Sequence, residues 1–209
     1  MITPPGIRGV AFGTRSHRDA RKFQDARILV SSELRISSDW ATIHQVHGDR
    51  TVVVSEPVHY GDADGLVTQR VGLPIVIATA DCVPVVLIGE RTRALTHAGW
   101  RGIASSVVSG AVETMDALGD TPSLAVLGPH ICGSCYEVGL EVNDAIGGFA
   151  SVTAAGTNGA DLAGAIRAQL GGIPVVDSGV CTYEDAAMAS YRESGTPDRQ
   201  VTVVWIPAD

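Results

Sequence analysis

The sequence has 209 residues, of which 45% are hydrophobic, and its 15 basic and 23 acidic residues give a formal net charge of −8. This length and hydrophobic fraction allow a sizeable core, so we expect residues 1–209 to form one domain. The negative charge argues against nucleic acid or an anionic membrane as the main partner, because both attract clustered Lys and Arg. The only lysine, Lys22, lies in a charged stretch, which argues against Schiff-base chemistry.

The expected compartment follows from the cysteines and the hydropathy pattern. No apolar segment has the length of a membrane span or the form of an export signal. Four cysteines are too few for a disulfide scaffold in a chain this long. We therefore expect a cytoplasmic protein without a membrane partner.

Short apolar runs that favour strands recur along the chain, at 7–12, 41–46, 50–54, 74–78, 83–88, 93–96, 124–127, 174–177 and 200–206. Gly48 and Asp49 form a turn signal, so residues 41–54 are predicted to form a hairpin. The clearest predicted helix spans 102–118, and weaker helix signals cover 19–34, 161–170 and 183–191. Mixed strand order with few long crossovers favours an α+β fold.

Candidate metal ligands stand where predicted strands end. Cys82 and His97 each follow an apolar run, and His47 follows a third. Zinc and copper both bind a thiolate with imidazoles, and three protein ligands with one open position are typical of catalytic sites. His44 and His47 would lie on opposite faces of a strand, so only one can join the site, and His47 is preferred because it precedes Gly48. The alternative is that these are ordinary core or surface residues.

Other polar residues near these motifs are candidates for binding and catalysis. Arg101 precedes the predicted helix at 102, whose free amides favour an anion, although a surface ion pair is an equal alternative. Asp81 is a candidate general base or a residue that orients a ligand. Asp64 is interpreted as a turn residue, with ligand orientation as the alternative. Cys132 and Cys135 have the spacing of a redox or zinc pair, but no second pair exists, so we interpret the spacing as incidental.

Taken in order, these motifs resemble the family variously named YfiH-like, laccase-domain or polyphenol oxidase proteins. The resemblance runs over residues 45 to 139, with a weaker similarity at Ser190-Tyr191-Arg192 and Arg199-Gln200. It is carried by Gln45-Val46-His47-Gly48, Ala63-Asp64-Gly65, Thr79-Ala80-Asp81-Cys82, His97-Ala98-Gly99-Trp100-Arg101-Gly102, Gly128-Pro129 with Ile131, and Tyr136-Glu137-Val138-Gly139. It implies a four-layer αββα sandwich with mixed sheets. It also implies a zinc site of His47, Cys82 and His97.

The activity that the resemblance implies is phosphorolysis of adenosine, inosine and methylthioadenosine, together with adenosine deamination. For this chemistry we predict Asp81, Arg101 and Glu137 as catalytic residues, and Arg15, Arg101 and Arg192 as residues that bind nucleoside and phosphate. This chain departs from the family pattern in a shorter segment before His47, and in Glu193 and Asp198, which stand where arginine and glycine are usual.

Three alternatives remain at this point. One is a copper-dependent polyphenol oxidase, which one family name indicates. The second is a metal-free cysteine hydrolase or deamidase with Cys82 as nucleophile and His97 as base. The third is a zinc-stabilised binding or peptidoglycan quality-control factor without turnover.

Overall fold

The structure is a computed structural model that describes residues 1–208. Its strands are β1 Val10–Phe12, β2 Ala41–His44, β3 Thr51–Val53, β4 His59–Asp62, β5 Gly65–Thr68, β6 Ile75–Thr79, β7 Val83–Ile88, β8 Arg93–Ala98, β9 Leu124–Leu127, β10 Ala150–Val152, β11 Asn158–Ala160, β12 Val175–Asp177 and β13 Gln200–Val204. Its helices are α1 Gln24–Leu34, α2 Trp100–Ala104, α3 Val107–Ala117, α4 Leu140–Ala145, α5 Leu162–Gln169 and α6 Tyr191–Ser194. A short 3-10 turn covers Arg15–His17.

Two large sheets organise the chain. The first has the strand order β1-β13-β6-β2-β4 and the second β12-β9-β7-β8-β5-β3, while β10 and β11 form a separate ribbon. Both large sheets are mixed: β6 is antiparallel to β13 and parallel to β2, and β9 is antiparallel to β7 and parallel to β12. The predicted α+β class with mixed sheets is confirmed.

Alternating side chains of the central strands build separate cores on the two faces of each sheet. Ile75 and Ile77 of β6 pack with Val86 of β7 between the sheets, whereas Val76 faces the layer that contains α1. Val85, on the opposite face of β7 from Val86, packs in the core that α2 to α5 cover. The layers therefore run helix, sheet, sheet, helix, as the αββα prediction requires.

The predicted helix over 102–118 is interrupted, which corrects both its start and its continuity. It begins earlier, at Trp100, and breaks at Ser106, whose φ of 65° is left-handed and cannot continue a helix. Ile103 and Val107, on either side of the break, enter the same core, so the hydrophobic spacing reads as continuous although the backbone is not.

The predicted hairpin over 41–54 is wrong, because β2 lies in the first sheet and β3 in the second. The turn signal at Gly48 marks a change of direction, but a local signal does not decide which strand becomes the partner. The predicted helix over 183–191 is also wrong, since the only helix near it is α6. The helix predicted over 19–34 begins at Gln24. Within residues 1–208, no helix is long and apolar enough to cross a bilayer.

A candidate metal centre in a basic cleft

Two histidines and one cysteine meet at one edge of the sandwich. Cys82 directly precedes β7, His97 lies near the end of β8, and the antiparallel pairing of Val83 with Ala98 brings these two segments side by side. His47 comes from the connection that follows β2. One ligand atom from each residue lies within 4.8 Å of the others, and the two imidazole centroids are 4.7 Å apart. This donor set fits a zinc ion.

The backbone at His47 explains why it, and not His44, joins the group. β2 ends at His44, whose exposed ring lies 2.8 Å from the carboxylate of Asp62. His47 lies beyond the strand in a left-handed conformation, with φ 61°, which histidine tolerates better than most residues. His47, and not His44, lies in the group, as the sequence analysis preferred. The reason differs: His47 lies in a turn after β2 ends, so the alternation of side chains along a strand does not decide between the two histidines.

Asp64 holds both candidate histidine ligands in position, although sequence analysis favoured a simple turn role for it. Its fully buried carboxylate lies 2.8 Å from His97 Nδ1. It also accepts hydrogen bonds from three successive backbone amides, those of Val46 at 3.2 Å, His47 at 3.0 Å and Gly48 at 2.7 Å. Asp64 therefore holds the loop of one histidine and the ring of the other, and leaves His97 Nε2 free to face the cysteine.

The charges of Cys82 and His97 are coupled. Burial alone raises the pKa of Cys82, but the charge of His97 and hydrogen bonds from His47 and His97 outweigh it and lower this pKa to about 6. Burial alone lowers the pKa of His97, but the Cys82 charge and the hydrogen bond to Asp64 raise it to about 9. Without a metal, the two charges thus favour each other, a thiolate on Cys82 and an imidazolium on His97.

Gly99 is required by close packing around the ligands. A Cβ at this position would lie 2.9 Å from Cys82 Sγ and 3.1 Å from His47 Cδ2. Its φ of −81° is ordinary, so space and not backbone conformation excludes a side chain here.

A cleft of about 730 Å³ opens beside the three ligands. Although the chain is acidic overall, this cleft is lined by the cationic side chains Arg21, Lys22, Arg101, Arg192 and Arg199, and by the aromatic side chains Trp100, Tyr136 and Tyr191. Such a wall favours an anionic ligand that carries an aromatic ring.

The cleft arginines differ in whether a carboxylate of the protein already neutralises their charge. Both carboxylate oxygens of Asp19 accept hydrogen bonds from Arg21. Arg101 has no carboxylate ion-pair partner among residues 1–208, and its guanidinium carbon lies 4.2 Å from the centroid of the Trp100 ring. Arg192 and Arg199 also lack such a partner within this range, but their guanidinium groups donate hydrogen bonds to backbone carbonyls, so Arg101 is the cleft cation most available to an anion. Because it lies inside the five-residue α2 and not before a long helix, we assign no role to a helix terminus.

Asp81 lies in the cleft wall, buried and with φ 82°, next to Cys82. Its Oδ1 accepts a hydrogen bond from Thr182 Oγ1 at 2.8 Å, and its Oδ2 accepts one from the backbone amide of Arg192 at 2.7 Å. With both oxygens engaged, this carboxylate ties distant segments to the backbone next to Cys82, which fits an orienting residue better than a proton acceptor.

The other predicted residues divide between the cleft and its surroundings. Arg192 lines the cleft, and its guanidinium donates to the carbonyl of Glu137 at 2.5 Å. The Glu137 carboxylate accepts from Thr157 at 2.8 Å and is not among the lining residues within 1–208. Arg15, in the 3-10 turn, is exposed and likewise outside the lining. The structure thus does not bring Glu137 or Arg15 into the cleft wall.

Sequence analysis missed a second group of ligating side chains. Cys132 and Cys135, whose spacing we interpreted as incidental, lie with Cys181 and Glu184. Nothing in the sequence signals this neighbourhood, because the two segments are far apart along the chain.

Comparison with known proteins gives a family and a fold. A family model described as multi-copper polyphenol oxidoreductase laccase matches residues 4–207. A purine nucleoside phosphorylase of Streptomyces griseus is 40% identical over 179 residues, covering 78% of this chain and 73% of the relative. A purine nucleoside phosphorylase of Pseudomonas aeruginosa is 34% identical over 209 residues, covering 93% and 84%. The crystal structure of YlmD from Geobacillus stearothermophilus has a TM-score of 0.86 at 24% identity, covering 98% of this chain and 94% of that one, and supports the fold alone.

Proposed function

The chain belongs to the multi-copper polyphenol oxidoreductase laccase family, and from that premise we propose that it is a zinc-dependent purine nucleoside phosphorylase. The proposed substrates are adenosine, inosine and methylthioadenosine with phosphate, and we propose adenosine deamination in the same cleft. The observation that carries the proposal is a group of two histidines and one cysteine beside an arginine-rich cleft, in a chain whose relatives are named purine nucleoside phosphorylases.

Zinc suits this site better than copper. His47, Cys82 and His97 offer nitrogen and sulfur donors and leave one position open, as catalytic zinc sites do. When bound, zinc would act as a Lewis acid and lower the pKa of a coordinated water toward neutrality. Four-electron oxygen chemistry usually needs several coppers, and among residues 1–208 the second group of ligating side chains contains no histidine.

The residues of the cleft have separate proposed roles. Arg101 and Arg192 hold phosphate, because guanidinium groups match its geometry and neither has a carboxylate ion-pair partner among residues 1–208. Trp100 and Tyr136 offer aromatic faces to the purine. Burial, with the nearby Cys82 charge, raises the pKa of Tyr136 to about 12, so its hydroxyl stays protonated and can donate a hydrogen bond. Asp81 positions the wall and does not transfer a proton in this scheme.

The cysteine hydrolase is the second candidate, and one feature favours it: Cys82 and His97 lie together, and their charges lower the pKa of the thiol and raise the pKa of the imidazole. Metal binding separates the two functions. A zinc-bound thiolate resists alkylation until a chelator removes the ion, whereas a free nucleophile reacts at once. A zinc-binding factor without catalysis would resist alkylation and leave nucleosides unchanged.

The first test measures zinc and turnover together. Inosine with phosphate should give hypoxanthine, and this activity should fall on chelation and return with added zinc. Cys82→Ala and His47→Ala should each lose one equivalent of zinc and the activity, whereas His44→Ala should keep its zinc because that ring pairs with Asp62 at the surface. Equal zinc loss in His44→Ala, or full retention in Cys82→Ala, would contradict the ligand assignment.

The second test concerns the anion. Arg101→Ala should raise the KM for phosphate about 10- to 150-fold, since a charge-assisted contact contributes about 1.5–3 kcal/mol, and should affect adenosine deamination less. Arg18→Ala is the control, because Arg18 is exposed, pairs with Asp25 and lies outside the cleft lining. An unchanged dependence on phosphate in Arg101→Ala would refute the role.

We also propose that residues 1–209 work as one domain in the cytoplasm, on small molecules and without a nucleic-acid or membrane partner. The net charge of −8 supports the expectation of no nucleic-acid or membrane partner, because both attract clustered basic residues. Recovery of the protein in the membrane or nucleoid fraction after cell fractionation would contradict it.

A further inference from the structure

Three cysteines and a glutamate form a second group of ligating side chains, separate from the cleft. Cys132, Cys135 and Cys181 are half-buried free thiols, and Glu184 is exposed. One ligand atom from each lies within 4.8 Å of the others. Within residues 1–208, none of the four lines the cleft.

Two hydrogen-bonded backbone turns direct these four side chains toward one another. The amide of Cys135 donates to the carbonyl of Cys132 at 3.0 Å, which closes a tight turn around the pair. The amide of Cys132 donates to the sulfur of Cys181 at 3.3 Å, and Cys135 Sγ lies 3.4 Å from Glu184 Oε1. The amide of Asp185 donates to the carbonyl of Cys181 at 3.0 Å and forms a turn that carries Glu184. Two turns therefore face each other with all four ligand atoms between them.

The spacing of the atoms matches a tetrahedral ion. Ligands about 2.3 Å from zinc are about 3.8 Å apart from one another, so atoms already within 4.8 Å need only small side-chain shifts. We propose that Cys132, Cys135, Cys181 and Glu184 bind a second zinc ion. Sulfur donors favour zinc over harder cations, and four protein ligands make a closed, structural site. A disulfide would use only two of the sulfurs and would leave the third cysteine and Glu184 without a partner.

The second zinc ion would hold one wall of the cleft. The amide of Ile131, next to Cys132, donates to the carbonyl of Asp81 at 3.0 Å. Thr182, next to Cys181, donates to the carboxylate of Asp81 at 2.8 Å. Both segments that supply cysteines thus contact the residue before Cys82, and the zinc ion ties them together. The proposal does not depend on the reaction that takes place in the cleft.

The experiment counts zinc in protein purified under reducing conditions. Full-length protein should carry two equivalents, Cys181→Ser one, Cys82→Ala one, and the double variant none. Ser134→Ala removes a hydroxyl that lies 3.1 Å from Cys132 Sγ but is not one of the four proposed ligands, and it should keep two. After cobalt replacement, Cys82→Ala should still show the intense thiolate-to-cobalt absorption band, and addition of Cys181→Ser should abolish it.

A milder variant keeps the test valid if Cys181→Ser folds poorly. Glu184→Gln should lower the affinity of the second site for zinc about tenfold or more, measured by competition with a chromogenic chelator, because one ligand loses its charge. Titration of the denatured protein, taken from a preparation made without reductant, should find all four thiols. Absence of zinc and of the cobalt band from folded Cys82→Ala, or two missing thiols that reveal a disulfide, would overturn the proposal.

Discussion

Replacement of Asp64 by asparagine tests whether the buried carboxylate holds the metal ligands in place. In the native protein each carboxylate oxygen accepts two hydrogen bonds: Oδ2 from the amides of Val46 and Gly48, and Oδ1 from the amide of His47 and from His97 Nδ1. Asparagine has the same shape, but one of its two positions is an NH₂ group, which cannot accept. In either orientation of the asparagine side chain, two of the four groups that donate to Asp64 would face the new NH₂ group and lose their acceptor.

The magnitude follows from this count. A buried donor left without an acceptor costs about 1–3 kcal/mol, so two of them should lower the free energy of unfolding by about 2–6 kcal/mol. Zinc affinity should fall about 10- to 100-fold, the usual effect of removing the partner that orients a ligating histidine. Unfolding by guanidinium chloride, measured on chelator-treated protein, separates the first effect from the second, and chelator competition measures zinc affinity.

Asp62→Asn is the matched control, because Asp62 also lies 2.8 Å from a histidine Nδ1, that of His44, but the pair is at the surface. Its effect on the free energy of unfolding should stay below about 0.5 kcal/mol. If Asp64→Asn unfolds at the same denaturant concentration as Asp62→Asn and binds zinc as tightly, the carboxylate does not hold the site.

Two further predictions concern the same centre. Gly99→Ala places a methyl group 2.9 Å from Cys82 Sγ, and this crowding should weaken the free energy of zinc binding by about 1–3 kcal/mol. Gly110→Ala, whose new methyl group has its nearest neighbour at 3.9 Å, should leave zinc binding unchanged. Equal zinc affinities in the two variants would count against the packing argument. In metal-stripped protein, alkylation of Cys82, followed by peptide mass spectrometry, should speed up as pH rises through about 6 and then level off, because only the thiolate reacts. His97→Ala should move this inflection to higher pH, and an inflection near about 8.5 in the unmodified protein would show that the imidazolium has no influence.

Local patterns in the sequence were enough to predict the central strands and to identify the candidate ligands. The runs at 83–88 and 124–127 form strands with those bounds, because residues buried on both faces must be apolar along their whole length. Cys82 and His97 could be singled out because each follows a predicted strand, over 74–78 and 93–96, although in the structure His97 lies inside β8. The start of α5 was also readable, since Asp161 accepts a hydrogen bond from the amide of Gly164 and caps the helix.

Partners that are distant along the chain required the tertiary structure. The turn at Gly48 gave no information on whether β2 and β3 pair, because strand pairing depends on which faces need covering across the whole sandwich. The break at Ser106 was hidden because the side chains on both sides of it enter one core.

The same limit applies to the two candidate sites. Asp64 reads as a turn residue locally, and only the folded chain brings His97 Nδ1 and three amides to its carboxylate. Cys132 and Cys135 read as an incidental pair because Cys181 joins them through the packing of a loop that no periodic pattern marks. Sequence patterns report the surroundings of nearby residues, whereas a ligand set drawn from several segments exists only when packing brings those segments together.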